Sequence, residues 1–177
     1  MATRLNLGAK INKLLDLGKY SDARRLIMRA LRAEPGSHWL LTRLGVTYYE
    51  QHRYREALKA ARKALKLAPR CPLVLWDYAC DLDMLENERA AIKIWKQLIR
   101  RGAKSLAYEE CGEGIRWAGS LINDCRYRIG SSYLDLGDRE KAVRYMRAHL
   151  AHRPSGGAAS IYTLKDVRSR LRKALKL

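Results

Sequence analysis

The side chains that could perform catalysis or bind a metal are few and scattered in this sequence. The four histidines lie at positions 38, 52, 149 and 152, and the last two share a helix face without an evident third ligand. Two histidines alone are weak support for a metal site. The four cysteines, at positions 71, 80, 111 and 125, include no CxxC pair, so they predict neither a zinc site nor a disulfide framework. No nucleophile is paired with a base and an orienting acid. We therefore expect no enzyme activity, no metal and no cofactor.

Phosphate binding is the chemistry that the basic residues could perform. They crowd the exposed side of three predicted helices, and the ones we single out are Arg25, Arg29, Lys59, Arg62, Lys63, Lys66, Lys96 and Arg100. Such a row could contact the phosphates of nucleic acid or an anionic surface without reading base sequence. No aromatic residues interleave the row to stack on bases. The alternative is a solvated face with no ligand.

The overall composition indicates a folded, strongly basic protein. Its 177 residues include 36 Lys or Arg and 18 Asp or Glu, which gives a net charge of +18, and 47% are hydrophobic. That hydrophobic content separates the chain from disordered sequences. No apolar run approaches the ~20 residues that cross a bilayer, and the N-terminus lacks the apolar stretch of a signal peptide. We expect a cytoplasmic protein without a membrane partner.

An internal repeat accounts for the spacing of the predicted helices. Segments that begin at Leu17, Gln51 and Leu85 align with a period of 34 residues, and a fourth copy begins at Leu136, 51 residues after the third. The same position of each copy holds a small residue: Ala23, Ala57, Ala91 and Ala142. Apolar residues at spacings of three and four predict two helices per copy. Neither helix can bury its apolar stripe alone, so neighbouring copies must supply the core.

This pattern resembles the tetratricopeptide repeat. The matching residues are Leu44-Gly45, Tyr48, Ala57, Ala64 and Pro69 in the second copy, and Ile129-Gly130, Tyr133, Ala142 and Pro154 in the fourth. The first copy departs from the pattern, with Lys10-Ile11 in place of Leu-Gly. The resemblance implies an all-α fold, a right-handed α-solenoid of helix-turn-helix repeats. We predict a single domain over residues 1–177, with repeats at 4–37, 38–71, 72–105 and 123–156.

Two segments depart from the period. Residues 106–122 form a half-repeat insert, with a helix stop before it at Gly102, a turn bracketed by Gly112 and Gly114, and an unusually long helix from Ile115 into the fourth copy. Residues 157–177 read as a linker and a capping helix. The alternative for that last helix is a basic targeting or membrane-surface helix.

The resemblance also implies a concave groove lined by the first helix of each repeat. The groove positions that we expect to bind a partner are Trp39, Arg43, Tyr49, Trp76, Asp77, Cys80, Asp83, Tyr127 and Arg128. This mixture predicts a non-catalytic adaptor or scaffold that binds an unidentified protein, as a peptide or helix with apolar anchors. In the alternative, Trp39 and Trp76 pack against adjoining repeats or under the inserted helix. A nucleic-acid-associated function for the basic face is the second candidate, and self-association is left open.

Overall fold

The computed structural model describes residues 2–153 and 160–176. These residues contain no strand and form the helices α1 (Ala2–Asp16), α2 (Tyr20–Ala33), α3 (His38–Tyr49), α4 (Tyr54–Leu67), α5 (Pro72–Met84), α6 (Glu88–Tyr108), α7 (Ile115–Asp135), α8 (Arg139–Ala151) and α9 (Leu164–Leu175). None of the described helices combines the length and apolar character that spanning a membrane requires. Pro154, which matches the repeat pattern in the fourth copy, and residues 155–159, which include the start of the predicted linker, lie outside the described residues.

The turn between the two helices of each repeat shows the repeat register in the backbone. Gly18, His52, Glu86 and Gly137 have φ angles of 66°, 57°, 59° and 80°. These four residues follow one another at the spacings of 34, 34 and 51 that separate the sequence copies. A left-handed residue at one fixed position of every turn confirms that the copies are equivalent structural units, helix-turn-helix pairs in an all-α solenoid.

The insert lengthens two helices. The backbone leaves helical geometry at the predicted stop, Gly102, where φ is 76° and ψ is 158°, but helix resumes and continues to Tyr108. The predicted turn follows, and in it the Gly112 amide donates to the Glu109 carbonyl at 2.7 Å. The predicted long helix is α7, which spans 21 residues and begins at Ile115.

The chain divides into two compact units, Met1–Asp81 and Leu82–Leu177, which we call unit 1 and unit 2. Each unit has buried apolar residues of its own. The predicted repeat boundaries within one domain over residues 1–177 stay a prediction.

The core of unit 1 forms where small residues allow close helix contact. Ile11, Ala23, Ile27 and Leu40 form one buried cluster. The alanines on the inner face of α4 are buried, and a Cβ added to Gly45 of α3 would lie 3.7 Å from the Ala57 carbonyl oxygen and 3.9 Å from the Ala60 Cβ. On the outer side, the Arg24 guanidinium donates to the Thr47 hydroxyl and carbonyl, both at 3.2 Å, and links α2 to α3.

Unit 2 repeats this arrangement with α7 and α8 at its centre. A Cβ added to Gly130 would lie 2.9 Å from Met146 Cγ, so glycine sets the spacing between these two helices. His149 is buried, and its Nδ1 is 2.8 Å from the Asn123 carbonyl. Burial lowers the pKa of His149, so this histidine is a neutral packing residue in the α7–α8 contact. A Thr163–Asp166 capping box begins α9.

Candidate functional site

In unit 1, the structure brings together charged residues that the repeat register places on the first helices. The Arg43 guanidinium lies over the Trp39 ring, 5.6 Å from its centroid. Burial raises the pKa of Asp77 to about 7, although the Arg43 charge opposes this rise. Arg43 Nε and Asp77 Oδ2 are both buried and have no hydrogen-bond partner among the described residues. We call this region, with Trp39, Tyr49 and Trp76, the first-helix surface of unit 1.

The aromatic residues of this surface are held in place by their neighbours. Trp39 packs against the buried cluster of unit 1, and its ring lies 3.5 Å from where a Cβ on Gly8 would be. Tyr49 makes an edge contact with Tyr54, with ring centroids 5.4 Å apart. Trp39, Tyr49 and Trp76 are all half-buried. Trp39 therefore packs against neighbouring helices, as in the alternative, and each of the three rings keeps an exposed part.

Cys80 and Asp81 do not lie on an open surface. Cys80 is 5% exposed, so the expectation that it lines an accessible groove is wrong. Asp81 is 3% exposed. Its pKa is raised to about 8, mainly by burial and secondly by the Asp77 charge. Two neighbouring buried carboxyl groups favour their protonated forms near neutral pH. The sequence did not predict this buried pair, because helical spacing indicates which residues share a face of the helix and not what covers that face.

In unit 2, the predicted groove residues contact one another. Asp83 accepts a hydrogen bond from the Ser132 hydroxyl at 2.6 Å and pairs with Arg128 at 3.4 Å. Burial raises the pKa of Asp83, while Ser132 and Arg128 oppose the rise. The Arg128 guanidinium also lies over the Trp95 and Tyr162 rings, at 6.0 and 5.6 Å from their centroids. These contacts use the polar groups that a partner would otherwise meet.

The chain itself covers the fourth-repeat positions of unit 2. Asp124 accepts hydrogen bonds from the Ser160 hydroxyl and, at 3.3 Å, from the Ile161 amide. The Tyr162 ring lies on the Tyr127 ring, with centroids 4.0 Å apart. Tyr127 is consequently 8% exposed, and its predicted role in an open groove is wrong. We call residues 160–162 the covering segment. Its position had no signal in the sequence, because it lies outside the repeat.

The basic residues lie on the second helices, as predicted, and most are exposed. Lys96 is half-buried and the others are exposed: Arg25, Arg29, Lys59, Arg62, Lys63, Lys66 and Arg100. Aromatic residues do approach this face in unit 2, contrary to the sequence reading. Lys96 Nζ donates to the Tyr133 hydroxyl at 2.8 Å and lies 5.8 Å from the Tyr145 ring centroid. These tyrosines are 37 and 49 residues from Lys96 along the chain, so inspection of a single helix could not find them.

Two segments of the chain match models of the tetratricopeptide repeat, residues 38–71 and residues 124–150. Two crystal structures of MamA are similar to the whole chain. One has 18% identity and a TM-score of 0.62, covering 93% of this chain and 92% of that chain. The other has 19% identity and a TM-score of 0.64, covering 99% and 92%. A comparison with curated proteins finds no match.

The helices, their turns and these structural likenesses define an all-α solenoid of helical repeats. At such identities the likeness to MamA shows the fold alone. Because two of its helix pairs also match the repeat model in sequence, the chain contains tetratricopeptide repeats.

Proposed function

We propose that this chain is a non-catalytic adaptor that binds a protein or peptide partner on the first-helix surface of unit 1. The observation that carries the proposal is the pair of unsatisfied atoms, Arg43 Nε and Asp77 Oδ2. Buried polar groups in folded proteins nearly always have a hydrogen-bond partner. A partner's acceptor and donor would reach these buried atoms only after a shift of the half-buried Arg43 and Asp77 side chains, and the half-buried Trp39, Tyr49 and Trp76 would receive its apolar side chains.

The raised pKa of Asp77 specifies the donor further. With a pKa of about 7, Asp77 is protonated in a large part of the free molecules at neutral pH. A cationic donor on the partner, such as a lysine or arginine side chain, would favour the carboxylate and lower this pKa. Binding of such a partner would therefore release protons and become tighter as the pH rises from about 6 to about 8, about one unit on either side of that pKa.

The test compares two double variants that each leave the net charge unchanged. Arg43→Ala with Asp77→Asn removes the proposed site. Arg25→Ala with Asp22→Asn removes an exposed ion pair on α2 of the same unit and is the matched control. Proteins that cross-link to the wild type, and proteins that the wild type retains at high salt, should be lost from the first variant and kept by the control. Equal retention by both variants would remove the first-helix surface from the proposal.

A second candidate function is nucleic-acid association through the exposed basic residues of the second helices. It is favoured by their exposure on α2 and α4, where the ion pairs among the described residues include Arg25 with Asp22 and Arg53 with Glu56. Binding of this kind weakens by orders of magnitude as salt rises, since it depends on released counterions. A retained nucleic acid whose affinity is the same at low and high salt would contradict it. Cytoplasmic location and self-association stay predictions.

A further inference from the structure

A cationic cleft in unit 2 is separate from the first-helix surface. It lies between α6 and α8 over the C-terminal end of α7 and has a cavity volume of about 520 Å³. We call it the basic cleft. Its lining residues are Arg89, Ile92, Lys93, Lys96, Arg100, Tyr133, Leu136, Asp138 and Lys141. A volume of this size matches the few hundred Å³ typical of small-molecule sites.

The positive charge of the cleft is mostly unneutralised. Five of the lining side chains are cationic and one is acidic. That acid, Asp138, already forms an ion pair with Lys141. It also accepts a hydrogen bond from the Lys141 backbone amide at 3.1 Å, which caps α8. Among the described residues, no ion pair neutralises Arg89, Lys93 or Arg100. Like charges held together in a concave site attract anions strongly, because the surrounding low-dielectric walls concentrate their field.

The shape of the charged row indicates more than one anionic group. Arg89, Lys93, Lys96 and Arg100 recur on one side of α6. At 1.5 Å per residue, the row is about 16 Å long, which exceeds the span of one phosphate. Lys96 is held toward the cleft by its hydrogen bond to Tyr133 at 2.8 Å. The cations are therefore arranged for several phosphate groups in line.

Tyr133 of the basic cleft and the neighbouring Tyr145 disfavour a stacked nucleic-acid base as the ligand. Lys96 Nζ and Lys141 Nζ lie 5.2 and 5.3 Å from the Tyr133 ring centroid. The Arg144 guanidinium lies 5.5 Å from the Tyr145 ring centroid. The two rings also stack on each other, 5.8 Å apart. Single-strand binding depends on open aromatic faces, and these faces are occupied by cations and by each other.

We propose that the basic cleft binds a compact ligand that carries two or more phosphate groups. Lys96 and Lys141 contact its phosphates from opposite sides of the cleft, and Arg89, Lys93 and Arg100 extend the contact along α6. The proposal does not depend on partner binding at the first-helix surface of unit 1.

The experiment measures binding of inorganic triphosphate to the full chain by calorimetry in low salt. The repeat register provides the variant, because Met28 and Glu56 of unit 1 occupy the positions of Lys96 and Lys141. Lys96→Met with Lys141→Glu should weaken binding by about tenfold or more, the loss expected for one or two charge-assisted hydrogen bonds. Arg62→Met with Lys66→Glu makes the same change in net charge on α4 and should leave the affinity within about threefold.

A second variant tests the same site in case the first variant does not fold. Arg89 and Lys93 are exposed and lie on the same row, so Arg89→Glu with Lys93→Met should fold and also weaken binding by about tenfold. Equal losses in the cleft variants and in the α4 variant would overturn the site, since the whole charge of the protein would then be responsible. Absence of triphosphate binding would overturn it too. Tighter binding of a ten-nucleotide single strand, sensitive to the cleft variants alone, would overturn the ligand class.

Discussion

The clefts between the second helices of neighbouring repeats differ between the two units. In unit 1, the cleft between α2 and α4 over α3 has a volume of about 420 Å³ and a largely apolar lining that includes Met28, Leu31 and Leu41. In unit 2, the corresponding cleft is the basic cleft. The register pairs Tyr48 with Tyr133, Arg32 with Arg100, Met28 with Lys96 and Glu56 with Lys141. The residues of the first two pairs are alike, and in the last two pairs lysines of unit 2 stand where unit 1 has an apolar and an acidic residue.

The first-helix surfaces of the two units also differ. In unit 1 this surface keeps two buried polar atoms without partners, on Arg43 and Asp77. In unit 2 the covering segment lies on Tyr127 and Asp124, and Asp83 has its own donors. A repeat fixes the glycine and alanine positions where helices touch and leaves the other positions free to diverge. The two proposals therefore assign a different binding side to each unit: the first helices in unit 1 and the second helices in unit 2.

The largest expected effect tests the closure of unit 2. Tyr127→Ala removes a buried aromatic ring that contacts Tyr162 and His149, and we expect the free energy of unfolding to fall by about 4 kcal/mol. The variant should also expose residues 160–163 to hydrogen exchange. Trp76→Ala, the equivalent change in unit 1, should cost less because Trp76 is half-buried. Denaturant unfolding and hydrogen exchange measure both effects, and a larger loss for Trp76→Ala would contradict the comparison.

The next effect is a pH dependence that belongs to unit 1. The pKa values of Asp77 and Asp81 are raised to about 7 and about 8 by burial. Such carboxyls stabilise the fold fully below their unfolded pKa of about 4, and this stability is lost as pH rises through the folded values. We expect the free energy of unfolding to fall steadily between about pH 5 and pH 8.

Two asparagine variants assign this pH dependence. Asp81→Asn should remove most of the slope. Asp124→Asn in unit 2 should change the slope less, because hydrogen bonds from Ser160 and Ile161 oppose the rise that burial causes in the pKa of Asp124. Urea unfolding at several pH values measures the slopes, and an unchanged slope in Asp81→Asn would be inconsistent with a protonated carboxyl at this position.

A smaller effect compares the helix contacts of the two units at equivalent glycines. A Cβ on Gly130 would lie 2.9 Å from Met146 Cγ and 3.2 Å from its backbone nitrogen, whereas one on Gly45 would lie 3.7 Å from the nearest atom. Alanine favours a helix over glycine by about 1 kcal/mol. We expect Gly45→Ala to be stabilising by up to that amount, and Gly130→Ala to be destabilising by about 1–2 kcal/mol because α7 and α8 must separate. Thermal unfolding measures the two signs, and equal signs would contradict the difference in spacing.

The sequence predicts the parts of this fold that the repeat itself determines. The helix pairs and the long helix from Ile115 follow from periodic small and apolar positions, since these determine which faces can touch. It does not predict what lies on those faces. Tyr162 covers Tyr127 from outside the repeat, and Tyr133 meets Lys96 across two helices. Both contacts join residues distant in sequence, so no local pattern records them.

The smallest expected difference between the units lies in their turns. Gly18 and Gly137 hold the left-handed position with φ angles of 66° and 80°. A Cβ on Gly18 would lie 4.0 Å from Tyr20, an ordinary contact, and one on Gly137 would have no atom within 4 Å. Alanine in either turn should cost about 1 kcal/mol of backbone strain and nothing from contacts. Glu86 is exposed and holds the same conformation with φ of 59°, so Glu86→Gly should recover part of that amount. Denaturant unfolding of the three variants measures these values. Because the turn belongs to the repeat and not to either unit, Gly18→Ala and Gly137→Ala should agree, and a several-fold disagreement would show that the turns too have diverged.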